Sequence, residues 1–131
     1  MNEYENNAYF WQKVDTLFIS SKLSISRRKG ETHPLYHNLQ YPVDYGHLDD
    51  TNGKDETGDG ISVYCGTQPR SVTALIIAAD ILKKDLDVKI LVGCSEEEVS
   101  LVLRFLNQTD YQKTVLIRRG NDIPSWGVID N

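Results

Sequence analysis

The densest group of potentially reactive side chains lies in one acidic segment near the middle of the chain. Between positions 44 and 59 a single lysine, Lys54, opposes six carboxylates: Asp44, Asp49, Asp50, Asp55, Glu56 and Asp59. Clustered carboxylates repel one another unless a cation lies between them. Mg²⁺ prefers oxygen ligands of this type and retains several of its waters. The segment is therefore a candidate magnesium site, and a solvated acidic loop is the alternative.

Other reactive patterns are weaker or absent in the sequence. His33, His37 and His47 are separated by four and ten residues, which matches no strong zinc pattern. His47 is expected to be a surface or loop-packing residue that could pair with a neighbouring carboxylate. Neither a glycine-rich phosphate loop nor a Ser/His/Asp or Cys/His nucleophile signature occurs. For the acidic segment, both a metal site and a solvated loop therefore stay open on residue spacing alone.

The elements that would position this segment follow from the hydrophobic periodicity. Residues 4–19 have the helical spacing of an amphipathic helix, with a mostly apolar stripe formed by Tyr9, Phe10, Lys13, Val14, Leu17 and Phe18. Ser95 and Glu98 form a capping box that predicts a helix ending near Asn107. A long irregular region is expected over 27–60. The predicted strands are 22–26, 61–65, 72–79, 87–92 and 114–118.

Length and pattern together predict one α+β domain. The chain has 131 residues, which is enough for one modest core, and it contains no internal repeat. We expect a single domain over 1–131, with 1–6 and 120–131 as peripheral tails. The short strands are most easily closed into a small barrel.

Charge and cysteine usage limit the partners. The net charge of −5 disfavours broad contact with nucleic acid, whose phosphates would repel the chain, and anionic lipid offers no gain either. No apolar run approaches the roughly 20 residues needed to cross a bilayer. The polar start does not resemble a signal peptide, and Cys65 and Cys94 lack CxxC spacing. We therefore expect a cytoplasmic protein with reduced thiols that binds neither nucleic acid nor membranes.

Several short motifs resemble those of one enzyme family. The segment Tyr41-Pro42-Val43-Asp44-Tyr45-Gly46 resembles the Tyr-Pro-x-x-Tyr-Gly segment of the soluble, family I type inorganic pyrophosphatases. Residues 57–63 occupy the place of that family's Asp-Gly-Asp-Pro-x-Asp-Val motif. Lys29-Gly30 and Tyr36 upstream, and Asp87-Val88-Lys89 downstream, match further family segments in the same order. The resemblance covers roughly residues 17–118, and the chain is identified by it as a short, divergent member.

The resemblance implies both a fold and an activity. The implied fold is a small, closed, five-stranded OB-like β-barrel with an N-terminal and a C-terminal helix packed on it. The implied activity is hydrolysis of pyrophosphate, or of a related phosphoanhydride, by water activated by Mg²⁺ or alternatively Mn²⁺. A small phosphorylated substrate and homo-oligomer formation are further expectations of the resemblance.

The resemblance also assigns roles to individual residues. Asp59 corresponds to a carboxylate that assists the nucleophilic water, Tyr45 to a phosphate-contacting tyrosine and Lys89 to a phosphate-binding lysine. These three are the predicted catalytic residues, and Lys29 joins Tyr45 and Lys89 as a predicted phosphate contact. The predicted metal ligands are Asp59, Asp87, Asp55, Glu56 and Asp80.

Ordinary structural roles stay open for the same residues. Tyr45 could simply pack its loop onto the rest of the domain. Asp87 and Lys89 are two positions apart on one predicted strand, so they should share a face, and they could be an exposed ion pair of little energetic value. Asp59 lies between two glycines that could serve only a turn. Lys29 belongs to a short basic run, which is more often solvated than phosphate-binding.

The chain departs from the family pattern at several functional positions. Ser62 stands where the family has a bridging carboxylate, so it brings no negative charge. The other substituted positions are Ser26, Leu35, Thr57, Thr109 and Asp110. Loss of one oxyanion-type contact costs about 10²–10³ in rate. Two hypotheses therefore stay open: an active phosphoanhydride hydrolase, and a catalytically impaired domain that binds a phosphorylated ligand or a protein partner.

Overall fold

A computed structural model of the chain describes residues 5–53 and 59–120. The fold is mixed α+β, with two helices and six strands in the described residues. In chain order these are α1 (Ala8–Ile19), β1 (Leu23–Arg27), β2 (Asp44–Leu48), β3 (Ile61–Cys65), β4 (Val72–Asp80), β5 (Asp85–Val92), α2 (Glu96–Leu106) and β6 (Gln112–Arg118). Neither of these helices has the length and apolar character needed to cross a membrane.

The six described strands form one sheet in the order β1-β2-β3-β5-β4-β6. Strands β3 and β5 pair in parallel, whereas the other neighbouring pairs are antiparallel. The α+β class is thus confirmed, but the sheet has one strand more than the five expected. Its hydrogen-bonded order ends at β1 and β6 without closing, so the closed barrel is not confirmed.

Strand β2 lies inside the region that was expected to be irregular. Asp44, Gly46 and His47 have low strand propensity, so the sequence pattern does not indicate a strand there. Pairing with β1 on one side and β3 on the other stabilises it. A Cβ atom on Gly46 would lie 2.0 Å from the carbonyl oxygen of Ser24. Glycine at this position therefore permits the close approach of β1.

The two faces of the sheet carry separate hydrophobic cores. Neighbouring residues along one strand alternate between them, as Val63 and Tyr64 do, because successive strand side chains point to opposite faces. The core on one face contains Tyr64 and residues of α2, and the core on the other face contains Val63 and residues of α1. The chain thus forms a three-layer arrangement with the sheet in the middle.

Helix α1 begins after Asn7, whose side chain accepts a hydrogen bond from the backbone N–H of Phe10. Its buried face is formed by Trp11, Val14 and Phe18. The predicted stripe was partly wrong, because Tyr9 is 80% exposed and Leu17 is 39% exposed. The true stripe is centred on Trp11, which is fully buried.

A buried ion pair links α1 to the residue that follows β6. The two terminal nitrogens of Arg119 lie 3.0 and 2.9 Å from the two carboxylate oxygens of Asp15, which is fully buried. Arg119 also donates to the carbonyl oxygen of Val72, and its guanidinium lies 5.1 Å from the centre of the Trp11 ring. The contact fastens helix α1 onto the sheet.

Helix α2 has the predicted capping box. Ser95 accepts a hydrogen bond from the backbone N–H of Glu98, and Glu98 accepts one from the N–H of Ser95. The Glu98 carboxylate also accepts from the N–H of Thr67, so it ties α2 to the loop after β3. Burial alone would raise the pKa of Glu98, but the hydrogen bonds from Ser95 and Thr67 lower it overall.

Both cysteines are buried free thiols. Burial raises the pKa of Cys65 to about 11. Burial, together with the negative charge of Glu98, raises the pKa of Cys94 to about 12. Since the thiolate is the reactive form, neither cysteine has the lowered pKa that characterises a nucleophile.

Candidate functional site

Four polar side chains form a row across four neighbouring strands. Ser24 of β1 pairs with His47 of β2, His47 pairs with Ser62 of β3, and Ser62 pairs with Lys89 of β5. Residues that lie opposite each other on paired strands point to the same face of a sheet. We call these four residues the polar row. It lies on the face that carries α2, because Tyr64 and Leu91, each two positions along its strand, belong to that core.

The polar row is largely shielded from solvent. Ser62 is fully buried, and the side chains of His47 and Lys89 are each 13% exposed. A polar group at such a position must have hydrogen-bonding partners, because its desolvation is otherwise costly. The partners of the row therefore identify which residues belong to the site.

Tyr45 contacts the row at Ser62. Its hydroxyl oxygen lies 3.1 Å from Oγ of Ser62 in a hydrogen bond that either group can donate. The Tyr45 ring is 2% exposed and packs between Tyr41 and Tyr64, with centroid separations of 5.4 and 4.9 Å. Tyr45 therefore combines a packing role with a hydroxyl group placed at the polar row.

Asp49 joins the first two members of the row. Nε2 of His47 lies 2.8 Å from Oδ1 of Asp49, and Ser24 Oγ donates to both Asp49 oxygens, at 3.1 and 2.9 Å. The expectation that His47 could pair with a carboxylate is confirmed, but its expected place on the surface or in a loop is wrong, because it lies on β2 with 13% of its side chain exposed. From the sequence, Asp49 was named only as a member of the acidic segment. Its position two residues after His47 was the signal that could have linked the two side chains.

Lys89 and Asp87 form an ion pair on β5. Nζ of Lys89 donates to Oδ2 of Asp87 at 3.2 Å, and the side chains are 13% and 20% exposed. The prediction that they share a strand face is confirmed. The alternative of an exposed surface pair is wrong, because both groups are largely removed from water.

A cleft of about 720 Å³ opens beside Lys89 and brings three predicted site residues together. Asp80, Asp87 and Lys89 line its polar end along with Lys83 and Asp85. Its other walls are mainly apolar and come from the loop after β1 and from the end of α2: His33, Pro34, Leu35, Tyr36, Leu39, Phe105, Leu106, Gln108 and Thr109. Tyr64 and Gln112 complete the lining. A smaller pocket of about 260 Å³ contains none of the predicted site residues.

Asp80 has a structural role as well as a place in the cleft. Its Oδ1 accepts hydrogen bonds from the backbone N–H groups of Leu82 and Lys83, at 2.9 and 3.0 Å. These bonds organise the turn between β4 and β5, which carries Lys83 and Asp85 to the cleft. Asp80 and Asp85 are also register partners across this hairpin.

Other predicted site residues lie elsewhere. Asp59 is exposed just before β3, and the exposed Lys29 donates its backbone N–H to Oδ1 of Asp44. Neither residue lines the cleft. The predicted ligands Asp55 and Glu56 lie outside the described residues. The roles of these four residues therefore stay predictions.

The positions that depart from the family pattern have varied surroundings. Ser62 is the buried centre of the polar row, and Thr109 lines the cleft. Ser26 is exposed on β1, and its hydroxyl lies 3.4 Å from the carbonyl oxygen of Tyr45. Asp110 is exposed, and Thr57 lies outside the described residues. Of these positions, Ser62 is the one that lies in the polar row and contacts the Tyr45 hydroxyl.

The carboxylates of the cleft are oxygen ligands of the kind that Mg²⁺ prefers. Three carboxylates line the polar end of the cleft: Asp80, Asp85 and Asp87. Across the described ranges, however, no three His, Cys, Asp or Glu side chains form a group that could hold a metal ion by themselves. Mg²⁺ is commonly held by one or two carboxylates, with substrate phosphates and waters as the remaining ligands. The cleft matches that arrangement better than a cage made only of protein groups.

Comparison with known proteins gives only distant likenesses. No protein-family model and no curated protein matches the chain. Among solved structures, it is similar to the inorganic pyrophosphatase of Helicobacter pylori, with 12% identity over 73% of this chain and 81% of that chain, and a TM-score of 0.49. Proteins from Anaplasma phagocytophilum (an inorganic phosphatase) and Coxiella burnetii (an inorganic pyrophosphatase) match with the same identity and coverage, at TM-scores of 0.46 and 0.44. At these values the likeness assigns no activity and no site residue to this chain.

Proposed function

We propose that this protein hydrolyses a phosphoanhydride bond, with inorganic pyrophosphate as the simplest substrate and Mg²⁺ as the metal. The observation that carries the proposal is the juxtaposition of Asp80, Asp87 and Lys89 at one end of a cleft. The motifs around Tyr45 and Asp59 support the same chemistry through their resemblance to soluble inorganic pyrophosphatases. An acidic chain suits this chemistry, since the metal supplies positive charge to the phosphates.

In this proposal Lys89 binds a phosphate oxygen. An ammonium group has three N–H donors, and the bond to Asp87 uses one of them. Asp87 orients the ammonium group, and the surrounding strands hold both residues in a fixed relation. Lys29 and the Tyr45 hydroxyl group are proposed as further phosphate contacts.

Carboxylates would hold the metal and direct the water. Asp80 and Asp87 line the cleft and are proposed ligands, together with Asp55, Glu56 and Asp59. Bound Mg²⁺ supplies charge stabilisation and lowers the pKa of a coordinated water. The resemblance of its motif, and not the geometry of the cleft, is the basis for proposing that Asp59 accepts the proton of the attacking water.

A second candidate function is a catalytically impaired domain that binds a phosphorylated ligand or a protein partner. Ser62 favours it, because a buried hydroxyl that hydrogen-bonds Tyr45 stands where the resemblance implies a charged metal ligand. The ion pair of Asp87 with Lys89 points in the same direction, since a carboxylate paired with a cation is a weaker metal ligand. The same cleft would then bind without turnover.

Phosphate release from pyrophosphate distinguishes the two candidates. The wild type, Asp87→Asn and Asp59→Asn would be compared in Mg²⁺ and in Mn²⁺, with Asp110→Asn as an exposed control. We expect release by the wild type and by Asp110→Asn, and its loss in both other variants. Failure of the folded wild type to release phosphate at any metal concentration would overturn the hydrolase proposal. Binding of pyrophosphate without release would establish the second candidate.

A further inference from the structure

An inorganic substrate such as pyrophosphate has no apolar group that could contact the apolar half of the cleft. Leu35 is 72% exposed and Tyr36 is 42% exposed, and both line the cleft together with Phe105 and Leu106. Pyrophosphate is a small, fully polar anion that the polar end alone can contact. An aromatic and aliphatic wall next to a charged end is the usual lining of a pocket for an organic ligand.

Hydrogen bonds within the loop after β1 support this wall. The backbone N–H of His33 donates to Leu39 at 2.8 Å, and the N–H of Tyr41 donates to Glu31 at 2.9 Å. Nδ1 of His33 accepts from the N–H groups of Leu35 and Tyr36, at 3.1 and 3.4 Å. These bonds fix the turn that carries the two exposed apolar side chains.

Ring packing anchors the same loop to the core. The His33 ring stacks on Tyr41 with centroids 5.7 Å apart, and it also lies 5.1 Å from the Tyr36 ring. Tyr41 is 1% exposed and contacts Phe105 at 5.1 Å. Tyr36 therefore extends from a buried aromatic cluster, so its ring can serve as a preorganised surface for a planar group.

We propose that the substrate is an organic diphosphate, of the nucleoside diphosphate class, whose planar ring packs against Tyr36 while its phosphates reach Lys89. This inference rests on the proposed function of the cleft and names its substrate class. The cleft volume of about 720 Å³ lies within the range of about 300–1,000 Å³ that encloses ligands of that size. Pyrophosphate would fill only a small part of it.

The charges of the polar end require the ligand to arrive with a cation. Lys83 and Lys89 bring two positive charges to this end, and Asp80, Asp85 and Asp87 bring three negative charges. A bare diphosphate would be repelled by the carboxylates, whereas its Mg²⁺ complex presents a cation to them and phosphate oxygens to the lysines. Binding should therefore depend on Mg²⁺.

The reaction on such a substrate is a balanced hydrolysis. The oxygen of a water molecule forms a bond to the terminal phosphorus, and the bond from that phosphorus to the bridging oxygen breaks. The bridging oxygen leaves with the nucleoside monophosphate, and the other product is inorganic phosphate. The water's proton is released to a carboxylate and then to solvent, so no further co-reactant is needed.

Equilibrium binding of non-hydrolysable analogues tests the inference without relying on turnover. The probes are the methylene-bridged analogue of ADP and methylenediphosphonate, each titrated by calorimetry with excess Mg²⁺ and again with EDTA. We expect Tyr36→Ala to weaken binding of the ADP analogue by about tenfold or more, because stacking on one aromatic ring contributes that much. Binding of methylenediphosphonate should be nearly unchanged, and EDTA should abolish both.

Two further variants serve as controls for Tyr36→Ala. Tyr36→Phe retains the ring and should bind the ADP analogue like the wild type. Tyr9→Ala removes an exposed tyrosine of α1 that does not line the cleft, and it should have no effect. A misfolded Tyr36→Ala would be recognised by circular dichroism, and Tyr36→Ser would replace it.

The outcomes separate the two proposals. If methylenediphosphonate binds and the ADP analogue binds no more tightly, with no effect of Tyr36→Ala, the organic-substrate inference is overturned while the proposed function stands. If neither probe binds in the presence of Mg²⁺, the inference and the proposed function both fail. Tighter binding of the ADP analogue that depends on the Tyr36 ring supports both.

Discussion

Ser62 lies directly opposite Lys89 on the parallel strands β3 and β5. This register sets a fully buried neutral hydroxyl beside a largely buried ammonium group, one strand away from the Tyr45 hydroxyl that Ser62 contacts. The side chain at position 62 therefore determines the charge at the centre of the polar row.

Ser62→Asp should strengthen Mg²⁺ binding. The new carboxylate would lie near Asp87, and added ligand charge raises the affinity of a site for hard divalent ions. We expect the Mg²⁺ concentration that gives half of the increase in melting temperature to fall by about tenfold. Ser62→Asn, which has the same size but no charge, is the matched control. Identical Mg²⁺ dependence of the two variants would show that position 62 does not face the metal.

Lys89→Met should reduce both ligand binding and stability. It removes the proposed phosphate contact and leaves the Asp87 carboxylate without its ammonium partner, at a cost of about 1–3 kcal/mol in the free energy of unfolding. Denaturant unfolding and diphosphate binding measure the two effects. In the double variant with Asp87→Leu, stability should recover while binding stays lost. Lys113→Met, at an exposed position of β6, is the control. Recovered binding in the double variant would contradict the assigned role.

Removing the cation that covers the Trp11 ring should destabilise the domain strongly. Arg119→Met leaves Asp15 buried without its guanidinium, which typically costs about 3–5 kcal/mol when a buried pair is broken. Unfolding followed by tryptophan fluorescence measures this loss. The double variant that combines Arg119→Met with Asp15→Leu should regain much of the stability, since no charge is then left buried. A single variant as stable as the wild type would show that the ion pair contributes little.

The capping residue Glu98 should give the stability a dependence on acid pH. Its pKa is lower in the folded chain than the ordinary value of 4.5, so its stabilising contribution is present above that pH and is lost as the pH falls below it. Glu98→Gln should cost about 1–2 kcal/mol at neutral pH, and the difference from the wild type should shrink below pH 4.5. Glu97→Gln, exposed in the same turn, is the control. A difference that is constant with pH would rule out the charge effect.

Strong local patterns made part of the fold predictable. The apolar β-branched runs predicted the observed bounds of β3, and they predicted those of β4 and β5 to within two residues at each end. The Ser95–Glu98 pair predicted the start of α2. Strand β2 was missed because its stability comes from two neighbouring strands and not from its own residues. Its alternation of Tyr45 and His47 toward one face was therefore not recognised.

The site was predictable only where its residues are close in sequence. Asp87 and Lys89 were expected to share a face, because side chains two apart on a strand do so. The polar row instead depends on register between strands distant along the chain, which no local pattern of Ser24 or Ser62 reveals. The apolar wall around Tyr36 likewise emerges only when the loop packs next to the end of α2.

The charged end and the apolar wall of the cleft are built from different elements of the fold. The charged end is built on paired strands, where a substitution disturbs the sheet, whereas the apolar wall comes largely from one loop and one helix end. Loops tolerate replacement and insertion better than the elements that they connect. Residues 33–39 could therefore be exchanged to select a different organic group while the groups that handle phosphate keep their positions, which makes this loop the natural place to redesign selectivity.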